Sequence, residues 1–342
     1  MDMIDLVGGG LTFTVSLLLT WLIRGYAVKK SLLDHPNHRS SHTMPTPRGG
    51  GLAIVLTFVS VLLFLLSQKN LESSACWALI IGGGLIAVVG WLDDCHQVSA
   101  GLRLAVHGLA VATGLSFLGG VPSLALAGLV IPAGAALNVA AGVCLVWLLN
   151  LFNFMDGIDG LAAMEASFAA LGAALILFCQ TGWSQDARLL LFFALAVFGF
   201  LAWNWPPAKI FMGDVGSGFL GYALGMAVVL TVQAGGLTLP VWLILLAAFG
   251  VDATLTLFGR MAKGERWWTA HCSHAYQGAA RRYGKHKTVT LSVLFINCFW
   301  LLPLAFWANL RRDLGWPLLL ASVLPLMALV LRERSLGEKD AN

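Results

Sequence analysis

The sequence predicts an all-α integral membrane protein of about eleven transmembrane helices (10–11 by count), and three observations predict it. Of 342 residues, 58% are hydrophobic and only 11% are charged, with a mean hydropathy of +0.81; a soluble domain carries roughly 25% charged residues. The apolar runs are about 18–22 residues long, the length a helix needs to cross a roughly 30 Å hydrocarbon core. The short alternating strands of a membrane β-barrel do not occur.

In order, the spans read 4–24, 50–67, 74–92, 102–119, 136–153, 160–180, 187–204, 215–235, 237–258, 288–308 and 315–332, all within one polytopic domain, 1–342. The first has no basic region before it and no small-residue cleavage site after it, so it is expected to be a retained helix rather than a signal. Pro122–Pro132 leave the outer ends of the fourth and fifth open, and the eighth and ninth nearly abut. An odd number of spans puts the termini on opposite sides. With the N-terminus outside, 17 of the 21 Lys and Arg fall inside and only Lys69, Arg188, Arg311 and Arg312 fall outside, as the positive-inside rule requires.

That orientation gathers the polar stretches on one face. Loops 25–49, 93–101, 154–160, 205–214 and 259–287 all become cytosolic. They carry DHPNHRSSHTMPTPRGGG (34–51), WLDD (91–94), NLFNFMDGIDG (150–160), WNWPPAKIFMGD (203–214) and the long basic loop. Solvated loops would explain the basic residues. They would not explain why scarce acids collect there too, and an active site would.

Only 17 residues are acidic, and Asp93, Asp94, Asp156, Asp159 and Asp214 lie in these clusters. A carboxylate at the centre of a membrane costs about 2.5–3.5 kcal/mol on insertion scales, so such residues are functional candidates by default. Helix capping or pairing with an Arg would account for any one of them. In NLFNFMDGIDG, each step of three residues falls about 60° short of a full helical turn, so Asn150 and Asp159 of one straight helix would face opposite ways. The helix is therefore expected to end near Met155, with Asp156–Gly160 forming a turn at Gly157 and Gly160. Carboxylates and amide oxygens without a Cys/His cage suit a hard cation, most naturally Mg2+, with Mn2+ as a substitute. Arg48, Arg103, Lys209, Arg260 and Arg266 are then candidates to clamp a phosphorylated substrate.

His35, His38 and His42 are spaced H-x2-H-x3-H. Flanking Pro36 and Arg39 and the lack of thiolates weigh against zinc and favour phosphate contact or solvent. In ERWWTAHCSHAYQ, Trp267 and Trp268 read as headgroup anchors. His274 is a candidate phosphate or sugar contact, and His271 either a second contact or an interface histidine. RRYGKHK (281–287) reads as a positive-inside signal. The six cysteines are scattered without metal spacing and are assigned no function.

The DD pair Asp93–Asp94, the N-x-x-N-x-x-D-G-x-D-G-L stretch from Asn150 to Leu161, the F-M-G-D-x-G-S turn from Phe211 to Ser217 and the histidine motif of the last large loop occur in one order. Together they resemble the polyprenyl-phosphate N-acetylhexosamine-1-phosphate transferase family of glycosyltransferase family 4 type, over roughly residues 34–290. The loop HCSHAYQ lacks the triple histidine of the peptidoglycan branch, and with PTPRGGG at 45–51 it is closer to the branch that initiates O-antigen.

The resemblance implies a bacterial inner-membrane enzyme that transfers N-acetylhexosamine-1-phosphate from a UDP-N-acetylhexosamine to undecaprenyl phosphate and releases UMP. It implies Asp214 as the principal Mg2+ ligand, helped by Asn153. It puts Asp93 and Asp94 at the phosphate end, with Asp93 the family's proposed base, and Arg103 near the lipid phosphate. Asp156 and Phe211 would line a uridine pocket with Asn204 nearby, and His274 would reach the diphosphate or sugar. The candidate catalytic set is thus Asp93, Asp94, Asp156, Asp159 and His274. The substrate-binding set is Asn150, Asn204, Phe211, Arg103, Arg48, His42, Lys209, Arg266 and His271, with Asn150 and Asp159 expected mainly to hold the turn. Expected partners are the two substrates, membrane lipid and a second copy of the chain, not nucleic acid. Other readings are a phospho-MurNAc-pentapeptide translocase, an ion-coupled transporter and a CDP-alcohol phosphotransferase. A transporter would place its acids near the midplane between repeats; the phosphotransferase pattern needs an arginine that DGIDGLAA lacks.

Overall fold

The computed structural model describes residues 3–36, 44–126, 128–265 and 273–340. Its helices are α1 Met3–Lys29, α2 Gly51–Ser67, α3 Ser73–His96, α4 Ala100–Leu118, α5 Ala135–Met155, α6 Leu161–Thr181, α7 Gln185–Asn204, α8 Asp214–Gln233, α9 Leu239–Leu245, α10 Ala247–Ala262, α11 Ala275–Tyr283, α12 His286–Leu310 and α13 Gly315–Asp340. Two small antiparallel ribbons complete it: β1 Leu33–Asp34 with β2 Thr46–Pro47, and β3 Leu124–Leu126 with β4 Leu129–Ile131. Among the described residues nine helices are long and apolar enough to cross a membrane, ten if the bent pair α9–α10 is one span. The 17-residue α2 is apolar but one residue short of that length. The eleven segments read from hydropathy thus each have a helical counterpart, and the fold is all-α and membrane-spanning.

The ninth segment departs from expectation. It is not one rod but two helices meeting at 79°. No glycine or proline sits at the break, Leu246, so the cause is tertiary. Trp242 Nε1 of α9 donates to Thr231 Oγ1 of α8, 2.8 Å away, while α10 turns aside to meet α11 through Asp252. Each half satisfies buried polar groups on a different neighbour, and in hydrocarbon those groups have no water to fall back on.

Helices α6 and α8 are the most enclosed, whereas α1 and α5 keep most of their surface open to lipid. Close approach to α8 rests on small residues. A Cβ on Gly51 of α2 would strike the backbone of Gly216, and one on Gly90 of α3 would strike that of Asp214. The C-terminal ends of α3, α5 and α7 and the N-terminal ends of α2, α4, α6, α8 and α12 meet at one end of the bundle. At the other end Gln233 Nε2 donates to the carbonyls of Leu118 and Gly120, and Arg312 to that of Gly235.

Candidate active site

Where those ends meet lies a cleft of about 250 Å³. Its floor is made by the start of α8. The backbone N–H of Gly50 donates to Phe211 O and that of Gly51 to Met212 O, while Phe211 N–H donates to Pro47 O. Loop 205–213 is thereby stitched to β2 and the start of α2. Gly213 then turns the chain into α8 with φ +76 and ψ 169, a region open essentially to glycine alone. The first N–H groups of a helix have no partner within it. Here a neighbouring helix supplies one: Asp94 of α3, only 6% exposed, accepts from Asp214 N–H at 3.1 Å and from Val215 N–H at 3.2 Å. Its carbonyl accepts from Arg48. Asp94 lines the cleft, but both its oxygens are engaged in holding α8.

Asp214, so placed, pairs through Oδ2 with Arg103 Nη1 at 2.7 Å, and the same nitrogen meets Asp93 Oδ2 at 2.6 Å. Asp93 Oδ1 accepts from Val98 N–H at 2.5 Å. Arg103 is therefore a bridge between carboxylates on different helices, ten residues from Asp93 and 111 from Asp214 along the chain. Asn153 of α5 donates from Nδ2 to Ser217 Oγ, 3.1 Å away on the first turn of α8, which leaves its amide oxygen for other contacts.

Helix α5 ends at Met155 and α6 begins at Leu161, as the helical arithmetic requires. Gly160 carries the positive φ of the turn (+73). Gly157 is needed for space instead: a Cβ there would lie 2.8 Å from Gln277 Nε2 and nearer still to the Tyr276 hydroxyl. Asn204 braces the turn. Its Oδ1 accepts from Gly160 N–H and its Nδ2 donates to Ile210 O, both at 2.9 Å, and it is 3% exposed. Asn204→Ala would orphan both partners, so a loss of about 2–3 kcal/mol is expected. A melting temperature in detergent checks it. Asp159 is braced as well, accepting from Ala208 N–H at 3.0 Å and lying 3.2 Å from His286 Nδ1.

Arg48, Asp94, Asn153, Asp156, Asp159, Asn204, Phe211 and Asp214 all line the cleft, with Asp93 and Arg103 joined to it through Asp214. Four expected residues, Asn150, Lys209, His274 and Arg260, do not come to it. Asn150 faces along its own helix, donating to Val146 O at 2.7 Å, so it neither lines the cleft nor holds the turn. Lys209 is exposed, with Nζ 5.3 Å from the Trp203 ring centre, a cation–π partner rather than a phosphate clamp. His274 is 3% exposed, its ring 3.5 Å from Asp252 and stacked on Tyr276. It is inside the packing beneath α11, not on the cleft wall. Arg260 pairs with Glu265 at 2.7 Å. His42, Arg266 and His271, with His38, Arg39, Trp267, Trp268 and Cys272, lie outside the described residues.

Sequence reasoning missed Asp34, Gln277 and His286, which also line the cleft. His286 sits in the run read as a positive-inside signal, and its pairing with Asp159 spans 127 residues, which no local pattern encodes. Asp252 and Glu165 are buried acids inside apolar segments, a signal that was present. Glu165 accepts from Asn297 Nδ2 at 2.5 Å.

Burial, and then the nearby carboxylates of Asp214, Asp94 and Asp159, raise the Asp156 carboxyl well above the ordinary carboxylate range. Its folded form thus binds a proton that the unfolded chain, with a value of about 3.9, has released. The stabilisation is complete below that value and is lost as pH rises toward the raised one. Without divalent ions the melting temperature should fall with pH across this window, and Asp156→Asn should flatten the slope; a wild-type slope in the variant would refute the assignment.

Such crowding of acids fits a hard cation. Asp214 offers a carboxylate and Asn153 an amide oxygen. Among the described residues no three Asp, Glu, His or Cys side chains form a ready cage.

Residues 76–232 match the family described as glycosyl transferase family 4. A probable undecaprenyl-phosphate N-acetylglucosaminyl 1-phosphate transferase of Bacillus subtilis is 34% identical over 223 residues, covering 63% of this chain and 60% of that protein. A decaprenyl-phosphate N-acetylglucosaminephosphotransferase of Mycolicibacterium smegmatis is 32% identical over 244 residues, 64% of this chain and 58% of that protein. The chain thus spans about 60% of the length of these two relatives. A phospho-N-acetylmuramoyl-pentapeptide-transferase of Streptococcus pyogenes is 32% identical over 241 residues, 65% of this chain and 71% of that protein. The matched region carries the DD pair, the Asn150–Leu161 stretch and the Phe211–Ser217 turn that the fold brings to one cleft, and the chain belongs to the polyprenyl-phosphate N-acetylhexosamine-1-phosphate transferases of glycosyl transferase family 4.

Proposed function

We propose that the protein transfers N-acetylhexosamine-1-phosphate from a UDP-N-acetylhexosamine to undecaprenyl phosphate, with Mg2+, at the cytosolic face of a bacterial inner membrane. The lipid-linked sugar diphosphate formed would initiate O-antigen or another surface polysaccharide. The observation that carries the reading is Arg103 bridging Asp93 and Asp214 at the edge of an acid-lined cleft. Leu102 and Leu104, on either side of Arg103 at the start of α4, are exposed, which supports a lipid phosphate approaching that guanidinium. The names of the relatives from Bacillus subtilis and Mycolicibacterium smegmatis support a polyprenyl phosphate acceptor, and the positive-inside count supports the orientation.

In this reaction one phosphoanhydride replaces another, so catalysis rests on aligning two anions and offsetting their repulsion. Mg2+, held by Asp214 and Asn153, would neutralise charge on the donor diphosphate. Asp94 fixes the first turn of α8 and so aims Asp214. Asn204 and Asp159 fix the turn that carries Asp156 beside Phe211, the end assigned to the nucleotide. Arg103 receives the lipid phosphate while Asp93 holds it in place. Both Asp93 oxygens are engaged, and a phosphate monoester with a second pKa near 6 already attacks as a dianion, so Asp93 acts here as a positioning group rather than a base. Asp93→Asn should lower the rate about tenfold, the cost of one charge-assisted hydrogen bond, and keep the wild-type shape of the pH–rate profile. Loss of the acid-limb inflection would restore the base.

The decisive experiment is UMP release by purified protein with undecaprenyl phosphate, Mg2+ and a panel of UDP-N-acetylsugars. Turnover that needs lipid and vanishes with EDTA is expected; folded protein that turns over none would overturn the reading. The Streptococcus pyogenes relative supplies a second reading, so the panel includes UDP-MurNAc-pentapeptide, which the loop HCSHAYQ predicts to be rejected. Light scattering in detergent tests the expected homodimer.

A further inference from the structure

Asp252 lies in α10, just past the 79° bend, 4% exposed and surrounded by apolar helices. A carboxylate costs too much there to persist without partners, and its partners come chiefly from one short segment of the far loop. Oδ1 accepts from Ala275 N–H at 3.0 Å and from Thr256 Oγ1 at 3.1 Å; Oδ2 accepts from Tyr276 N–H at 3.0 Å. The His274 ring stands 3.5 Å away. Asp252 therefore caps α11 from another helix, as Asp94 caps α8.

Helix α11 connects this cap to the cleft. The Tyr276 hydroxyl donates to Phe154 O at 2.9 Å, satisfying a carbonyl in the last turn of α5 that its own helix leaves open. The same hydroxyl fills the space above Gly157. Gln277, one residue on, lines the cleft. Burial, with the Asp252 and Asp156 carboxylates, holds the Tyr276 phenol well above its ordinary value, so it remains a donor. The chain of contacts runs from Asp252 through the first turn of α11 and the Tyr276 hydroxyl to the Asp156–Gly157 turn. None of its members before Asp156 needs to touch substrate.

We propose that Asp252 is a positioning residue for the nucleotide end of the cleft, acting by pinning the first turn of α11 so that Tyr276 fixes the Asp156–Gly157 turn. The inference rests on the transferase reading for its substrates and on the geometry alone for its mechanics. It predicts an asymmetry, because α11 touches the Asp156 end and not the Arg103–Asp93 end.

The test uses the whole purified chain and varies the two substrates separately. Asp252→Asn, nearly the same size but with one acceptor fewer, should raise KM for the UDP-sugar about tenfold, the worth of one buried hydrogen bond to a charged group, with KM for undecaprenyl phosphate within about twofold of wild type. Tyr276→Phe should shift the same constant in the same direction by less, and the double variant should be no worse than Asp252→Asn alone, since both act on one chain. Amide hydrogen exchange on ligand-free protein supplies a readout without turnover. Exchange should quicken at residues 156–160 in both variants, and at 275–277 in Asp252→Asn. Equal rises in both KM values, additive losses, or unchanged exchange at 156–160 would each overturn the proposal. If wild-type protein releases no UMP, the transferase reading falls, and exchange at 156–160 still decides whether Asp252 governs the turn.

Discussion

Asp214→Ala is expected to cut UMP release at least about a hundredfold, the scale on which removing one preorganised charge acts, without lowering the melting temperature. The two halves of that result have separate causes. Asp214 pairs with Arg103, but Asp93 holds the same guanidinium nitrogen at 2.6 Å and would keep it after the substitution. An acid in the first turn of a helix is worth only about 0.3–1 kcal/mol. Against that stands its repulsion with the carboxylates packed around it, including Asp94, which accepts from the Asp214 backbone, and Asp156, whose carboxyl it helps to raise. Removing the side chain relieves this crowding and leaves the backbone N–H that Asp94 needs. A site arranged for charge stabilisation is not arranged for its own stability, and relief of that strain commonly raises stability as function is lost. Activity above a tenth of wild type would remove Asp214 from the reacting centre. A marked fall in melting temperature would make it a structural residue instead.

Much of this arrangement was legible in the sequence, and the legible part is what local chemistry dictates. The ends of α5 and α6 follow from helical angles and two glycines, and they fall where the arithmetic puts them. The gathering of Asp93, Asp156 and Asp214 at one end follows from alternating spans and the placement of Lys and Arg. What was not legible depends on contacts between distant segments. Asp94 and Asp93 are adjacent and chemically alike, yet one caps α8 and the other holds Arg103. Only the position of α8 relative to α3 decides which does which. Lys209 has the charge of a phosphate clamp, but Trp203 six residues earlier offers its face to the ammonium. His274 carries the motif's histidine, but the buried Asp252 draws it beneath α11, and Asp252 is the residue whose cost in hydrocarbon should have drawn notice first. His286 reads as one more basic residue until α12 is seen to begin against Asp159.

Gly213→Ala should be a severely damaging methyl, lowering the melting temperature sharply and abolishing UMP release together. Two independent costs add. The backbone angles, φ +76 and ψ 169, put residue 213 in a region that costs other residues about 1–3 kcal/mol. The added Cβ would also stand 2.8 Å from Asp94 Oδ1 and nearer still to Oδ2. That carboxylate cannot step aside cheaply, because the same two oxygens accept from Asp214 and Val215 N–H. Moving it orphans two buried donors at the start of α8, at about 1–3 kcal/mol each, and turns Asp214 away from Arg103. The two costs can be separated. Gly182 lies in the same glycine-favouring region, φ 71 and ψ −154, with nothing within 4 Å of an added Cβ. Gly182→Ala therefore carries the conformational cost alone and should lose stability modestly while retaining turnover. If the two variants melt alike, the contact with Asp94 contributes nothing and the capping of α8 from α3 is wrong. If Gly213→Ala is far worse, the methyl is reporting the one place where the metal-binding candidate, its capping acid and the backbone turn have no room to move independently.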